Sequence, residues 1–330
     1  MVKNKNPKAV YITLIIFLII IFIFSLVLGA EKINVFNGLY DIFNGNKSVD
    51  SRILQFVRLP RTLAGIFAGC ALGLAGAIIQ SVLSNSLASP STIGVNSGAG
   101  LAVAIFGALF PDCVMFVPFA SLAGAFLGAL LVLGIGEKFS SSRMGLVLAG
   151  VAVSAVFNAG IDCVLTFVPD ALNGYSDFRI GGLFNISMKD LFPAAPLIII
   201  AFVIAVIFHN ELDILMLGID ESVTLGLPAK SLRLMFLGLA AVLAGSAISF
   251  SGLIGFVGLI VPHIMREFVG EESRPLMITS ALGGAVLLLG SDLLSRLVFA
   301  PFELPVGIIM ALIGGPFFIY LLRKRGRVHD

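Results

Sequence analysis

The sequence predicts an all-α integral membrane protein: ten transmembrane helices in one compact bundle, with both termini cytoplasmic. Three observations predict it. Hydrophobic residues make up 58% of the 330 positions and charged residues only 12%, where soluble proteins carry about 25% charged. Apolar runs of about 20 residues, the length a helix needs to cross a hydrocarbon core, recur along the whole chain. A basic cluster, "RKRGR", lies at 323–327, and Lys and Arg favour the cytoplasmic side.

The runs fall near 10–30, 61–83, 92–110, 114–136, 144–168, 191–208, 232–250, 252–268, 276–298 and 304–322. The first also has features of a secretory signal: Lys3, Lys5 and Lys8, then apolar residues, then "LVLGAEK". Its apolar stretch exceeds the roughly 7–15 residues of a signal core, so an uncleaved span is expected. The stretch 232–268 is long enough for two spans, and "SFSGLIG" at its middle supplies the turn. Ten spans with inner termini put most of the 21 basic residues inside. The 36 glycines, as in "AGIFAGCALGLAGA", predict closely approaching helices in a single domain spanning 1–330.

A net charge of +2 with no basic stripe excludes nucleic acid as a partner. Cys70, Cys113 and Cys163 are odd in number and irregular in spacing, so neither a disulfide framework nor a zinc site is indicated. They read as small packing residues. No GxxxxGK[ST], HExxH or CxxC occurs. No metal or cofactor is therefore expected on this chain, and energy for any transport comes from an ion gradient or another subunit.

The segment 209–231, "HNELDILMLGIDESVTLGLPAKS", is too polar to span and too patterned for a plain loop. Gly218 and Gly226 punctuate it into two short helices, and Asp220 is positioned to cap the second. Leu212, Leu215, Val223, Leu225 and Leu227 give it apolar faces, which predict a docking surface or packing on the bundle itself.

In the fifth span Ser154, Asn158, Asp162 and Thr166 recur every four residues, along one helix stripe. An ionised Asp within a span costs at least about 2.5 kcal/mol. The stripe therefore lines a polar pathway or forms a packing seam, with Asp162 near the outer interface. Asp292 and Arg296 are spaced i, i+4 and are expected to pair. Glu303 precedes Pro305, which opens the last span at a position that tolerates proline. Arg58 and Arg61 stand at the outer start of span two. Such arginines can snorkel or receive carboxylates. In "GLIGFVGLIVPHIMR" Pro262 weakens the helix only near its inner end, where neighbours satisfy the freed carbonyls. Arg266 suits the negative end of that helix. His263 reads as a structural hydrogen-bonding residue rather than a metal ligand.

Four motifs in order, "RLPRTLAGIFAGCALGLAGAIIQ" (58–80), "IGVNSGAG" (93–100), "GLIGFVGLIVPHIMR" (252–266) and "ELPVGIIMALIGGPFFIYLL" (303–322), resemble the permease subunit of ABC importers for iron–siderophores, haem and cobalamin. The resemblance covers residues 11–325. It implies a type II importer in a prokaryotic cytoplasmic membrane, with no cofactor on this chain and ATP and Mg on a partner. The implied partners are two ATP-binding subunits, a second permease (the same chain or a paralogue) and an extracytoplasmic binding protein. It implies that span five lines the pathway and that 209–231 is the coupling loop, with Leu215, Gly218, Asp220, Glu221 and Gly226 acting there. Arg58, Arg61 and Arg296 match arginines that meet the binding protein. Asn85 matches one inner gate; Ser141 and Ser142 match the second. The chain departs from the family with Ser86 in place of proline, Ser89 in place of an acid, and Phe178-Arg179-Ile180-Gly181-Gly182 in place of a Trp motif. Ferric siderophore is the expected cargo, with haem and cobalamin as alternatives. Two readings from other classes compete: an ion-coupled transporter using Asp162 as a proton site, and a membrane scaffold. The former is suggested by "LAGAI" at 74–78 and "LAGSAI" at 243–248, a weak echo of an inverted repeat.

Overall fold

Apolar runs long enough to span become helices because no other backbone form satisfies its own hydrogen bonds away from water. The computed structural model describes residues 7–29, 31, 33–46, 48–139, 143–298, 300 and 302–326. Ser141 and Ser142 lie outside the described residues, as do Lys3 and Lys5. The helices are α1 (Pro7–Val27), α2 (Val35–Phe43), α3 (Val49–Ile53), α4 (Leu59–Val82), α5 (Val95–Leu109), α6 (Val117–Phe139), α7 (Arg143–Phe167) and α8 (Leu172–Ile180). They continue as α9 (Met188–Ile207), α10 (His209–Leu217), α11 (Ile219–Thr224), α12 (Ala229–Ser251), α13 (Val257–Val269), α14 (Ser273–Leu297) and α15 (Val306–Gly326). No strand occurs among the described residues.

Among the described residues, seven helical stretches are long and apolar enough to cross a membrane, and Val95–Leu109 and Val306–Leu321 are shorter apolar helices at two further expected positions. The eighth expected span needs correction. Residues 252–256 are not helical, and α13 has only 13 residues, about 20 Å of helix. Gly252 and Phe256 both have φ of 68°, and the Leu253 N–H bonds the Phe178 carbonyl, 2.8 Å away, instead of its own turn. The start of span two also differs. Helix begins at Val49 and runs through one π turn, Leu54–Arg58, into α4. Pro60 therefore lies inside a continuous helix; the wide turn just before it is an irregularity of the kind that gathers at functional sites.

Helix α4 sits at the centre, packed by α14, α12, α13 and α9. Helix α12 bridges it to a second group in which α6 packs on α5 and α7, while α1 and α15 lie against α14. Glycine sets the spacing. A Cβ on Gly69 would come 2.3 Å from the Gly284 carbonyl oxygen, and one on Gly76 would come 1.9 Å from that of Gly258. The backbones of α4, α13 and α14 thus touch, giving the small-residue contact that membrane helices use in place of a hydrophobic driving force. Cys70 is half-buried, whereas Cys113 and Cys163 are exposed. The packing reading is therefore corrected for those two: Cys113 sits in a loop and Cys163 on the outer face of α7.

Candidate functional site

At one end of the bundle three arginines converge. Arg58 comes from the π turn, Arg61 from the first turn of α4, and Arg296 from the last turn of α14. Arg61 Nε lies 3.0 Å from Asp292 Oδ1, and its NH1 lies 2.5 Å from Glu303 Oε2. Arg296 pairs with Asp292 Oδ2 at 3.1 Å, the expected i, i+4 contact. It also donates to Ser25 Oγ (2.7 Å) and to the Leu28 carbonyl (3.3 Å). Arg58 donates to the carbonyls of Leu26, Val27 and Glu31 at 2.5–2.7 Å. The first two are orphan acceptors at the end of α1, which has no helical donors left to give them. Ser25 Oγ and Thr62 Oγ1 are 2.8 Å apart, so α1 is wired into both α4 and α14. Pro305 directly precedes α15, and its carbonyl accepts from Ile308 N–H at 3.0 Å.

All three arginines are buried, 3–6% exposed, so none snorkels on the surface as an isolated charge. They line one cavity of about 210 Å³ together with Gly29, Glu31 and Glu303. Asp292 is fully buried beneath it. In such surroundings one carboxylate shared by two guanidiniums is held by charge and geometry together.

The α7 stripe faces away from the chain's own core. Ser154 is half-buried and accepts a hydrogen bond from Ser97 Oγ at 3.0 Å. Asn158, Asp162 and Thr166 are exposed, and Thr166 Oγ1 returns to the Asp162 carbonyl at 2.7 Å. The stripe is therefore no seam inside this bundle. Beyond its C-terminal end, burial pushes the Tyr175 phenol of α8 above its ordinary range; Arg179 opposes this and the Asp162 charge adds to it.

At the opposite end, 209–231 forms two short helices broken at Gly218, with φ of 145°. Two expectations are corrected. Leu215 is buried with Leu212 against the bundle; the exposed apolar residues are instead Leu217, Val223 and Leu225. Asp220 does not cap α11, because Gly218 occupies that position. Asp220 and Glu221 lie in the first turn, where negative charge suits the helix dipole. Ser222 Oγ ties the two helices by donating to the carbonyls of Ile214 (3.1 Å) and Gly218 (2.5 Å). Gly226 has φ of 83° and open space around it.

Near the same end Asn85 builds a tight turn. Its Oδ1 accepts from Leu87 N–H at 3.0 Å, the side-chain mimicry of a turn that Asn favours. Thr92 Oγ1 donates to the Ser89 carbonyl at 2.6 Å. The connection through Ser86 and Ser89 is thus held by side-chain hydrogen bonds. Behind it, Pro262 lies in the middle of α13 rather than near its end and gives the Gly258 carbonyl no donor. Gln80 Nε2 of α4 supplies one at 3.1 Å. Arg266 donates to Gln80 Oε1 and pairs with Glu271 at 3.1 Å. The His263 ring meets Phe317 edge-on at 6.2 Å. Among the described residues no group of three His, Cys, Asp or Glu is placed to hold a metal.

Sequence reasoning overlooked Gln80, Ser25 and the Arg61 bond to Asp292. The available signal for Gln80 was a lone amide in the most apolar part of span two, where an unpartnered polar group is costly. Ser25 carried no distinguishing signal.

Known proteins resemble this chain along most of its length. The chain is 37% identical to the Fe(3+)-citrate import system permease protein YfmE of Bacillus subtilis, over 98% of each chain. It is 35% identical to the hemin transport system permease protein HmuU of Yersinia pestis, over 97% of each. A solved structure described as an inward-facing conformation of a metal-chelate type ABC transporter superposes with a TM-score of 0.85 at 26% identity. That match covers 97% of this chain and 100% of the other. The family model for the FecCD transport family matches residues 17–324, and the chain belongs to that family.

Proposed function

We propose that the chain is the transmembrane permease subunit of an ATP-driven importer, carrying a ferric siderophore across the cytoplasmic membrane of a prokaryote. The observation that carries this reading is the family match across residues 17–324. Relatives named for ferric citrate and hemin support a metal chelate as the cargo class. Ten segments cross the membrane, the short α13 completed by residues 252–256 as the eighth, with both termini cytoplasmic. The wiring supports this: the end of α1 and the starts of α4 and α15 meet at the arginine cavity, while the start of α14 meets α10 at the other end.

The chain binds no cofactor. Two partner subunits bind ATP and Mg and dock on Leu217, Val223 and Leu225, around Gly218, Asp220, Glu221 and Gly226. A second permease, a copy or a paralogue, covers the α7 face, so that Ser154, Asn158, Asp162 and Thr166 line the pathway between the two. Asn85, with Ser141 and Ser142, closes it on the inner side. A binding protein's carboxylates enter the cavity of Arg58, Arg61 and Arg296, whose buried cations attract them strongly in a low dielectric.

The test is uptake of radiolabelled ferric siderophore by cells carrying an inactive ATP-binding subunit. Abolished uptake is expected. Uptake that survives there and collapses with the proton gradient would overturn the reading and make Asp162 a proton site. Haem and cobalamin, offered as competitors, report the cargo: neither is expected to reduce iron uptake.

A further inference from the structure

A polar contact helps fasten the docking loop to the bundle. Asp213 of α10 accepts a hydrogen bond from the Ser273 N–H, 2.8 Å from its Oδ1. Ser273 is the first residue of α14, so this N–H has no partner within its own helix. A carboxylate there also complements the positive end of the helix dipole. Ser273 is fully buried, and its Oγ approaches Met216 Sδ of α10 at 3.8 Å. The apolar neighbours Leu212 and Leu215 seat the same helix. Ser222 hangs α11, with its exposed Val223 and Leu225, on α10.

What α14 joins gives this bond its meaning. The helix has 25 residues, about 37 Å of length. Gly69 and Gly73 bring its backbone against α4 at Gly284 and Ser280, too close for a Cβ. Two helices locked backbone to backbone do not slide independently. At the far end the same pair carries Arg61, Asp292 and Arg296.

We infer that Asp213 is a positioning residue that transmits movement between the docking loop and the α4–α14 pair, and so to the outer arginine cavity. This rests on the reading of 209–231 as the ATPase-docking segment. Helix α10 is also joined to α9 through Phe208, but that link is a chain connection at a backbone break. The Asp213 bond, with the Ser273–Met216 contact beside it, is a direct polar contact to the helix that reaches the outer site.

The test uses the complete complex in lipid nanodiscs, and reads ATP hydrolysis with and without cargo-loaded binding protein. Asp213→Ala is expected to keep the ATP-binding subunits and basal hydrolysis, and to lose stimulation by at least about fivefold, the lower edge of ordinary allosteric coupling. Asp213→Asn keeps the Oδ1 acceptor and is expected to restore most of it. Ser273→Pro removes the donor at a helix position that accepts proline, and is expected to reproduce the Asp213→Ala loss. It also keeps the inference testable if Asp213→Ala does not assemble. Wild-type stimulation in either disruptive variant, or no recovery with Asn, would overturn the inference. Loss of the ATP-binding subunits from the variants alone would overturn it too, by making Asp213 part of the docking surface. Their absence from the wild-type complex would instead sink the docking reading beneath it.

Discussion

Gln80 of α4 donates to the carbonyl of Gly258 in α13, 178 positions away, the acceptor that Pro262 leaves without its helical N–H. Its other amide atom accepts from Arg266. One side chain thus repairs a proline break and anchors a half-buried cation.

Replacing Gln80 by Leu therefore takes the partner from the buried Gly258 carbonyl and one of the partners from the half-buried Arg266. An unsatisfied buried group costs about 1–3 kcal/mol. A lowered thermal midpoint of the detergent-solubilised chain is expected, with loss of uptake at higher temperature first. An unchanged midpoint would mean that water replaces the amide.

Asp292→Ala strands two buried guanidiniums. Removing one partner of a buried ion pair costs about 3–5 kcal/mol. Glu303 pairs with Arg61 alone among the described residues and its side chain is 31% exposed, so Glu303→Ala is expected to cost clearly less. Equal losses in thermal stability would contradict the placement of Asp292 as the shared counter-ion.

Gly76→Ala pushes a methyl to 1.9 Å from the Gly258 oxygen, and backbone cannot yield cheaply. Separation of α4 from α13, low yield and no uptake are expected. Gly134→Ala, in α6 with open space around it, is the control and should stay within about 1 kcal/mol of wild type. Similar yields for the two would refute the close contact.

Gly226→Pro is incompatible with a φ of 83°, since proline holds φ near −65°. It also deletes the Gly226 N–H bond to the Val223 carbonyl. The variant is expected to reach the membrane yet hydrolyse ATP without uptake. Normal uptake would argue against 209–231 as the coupling loop.

The helices themselves were legible, because each span is a local run whose length and polarity are set by neighbours in sequence. So were the Asp292–Arg296 pair, one turn apart, and the two short helices broken at Gly218. The turn at "SFSGLIG" was legible in its glycines, but not that the next helix starts only at Val257, because Leu253 N–H bonds the Phe178 carbonyl on another element. Leu215 misled for a related reason: an apolar residue on a short helix looks the same whether it faces a partner or its own bundle.

By itself, then, the sequence determined a polytopic helical membrane protein, the positions of its spans, and the motifs by which its family is recognised. Only the tertiary structure decided which polar groups meet: Arg61 with Asp292, Gln80 with Gly258, Asp213 with Ser273. Hydrophobic length is written locally in the chain. The partner of a buried charge is chosen by where distant helices cross, and that crossing is set by glycine contacts between residues about 180–230 positions apart.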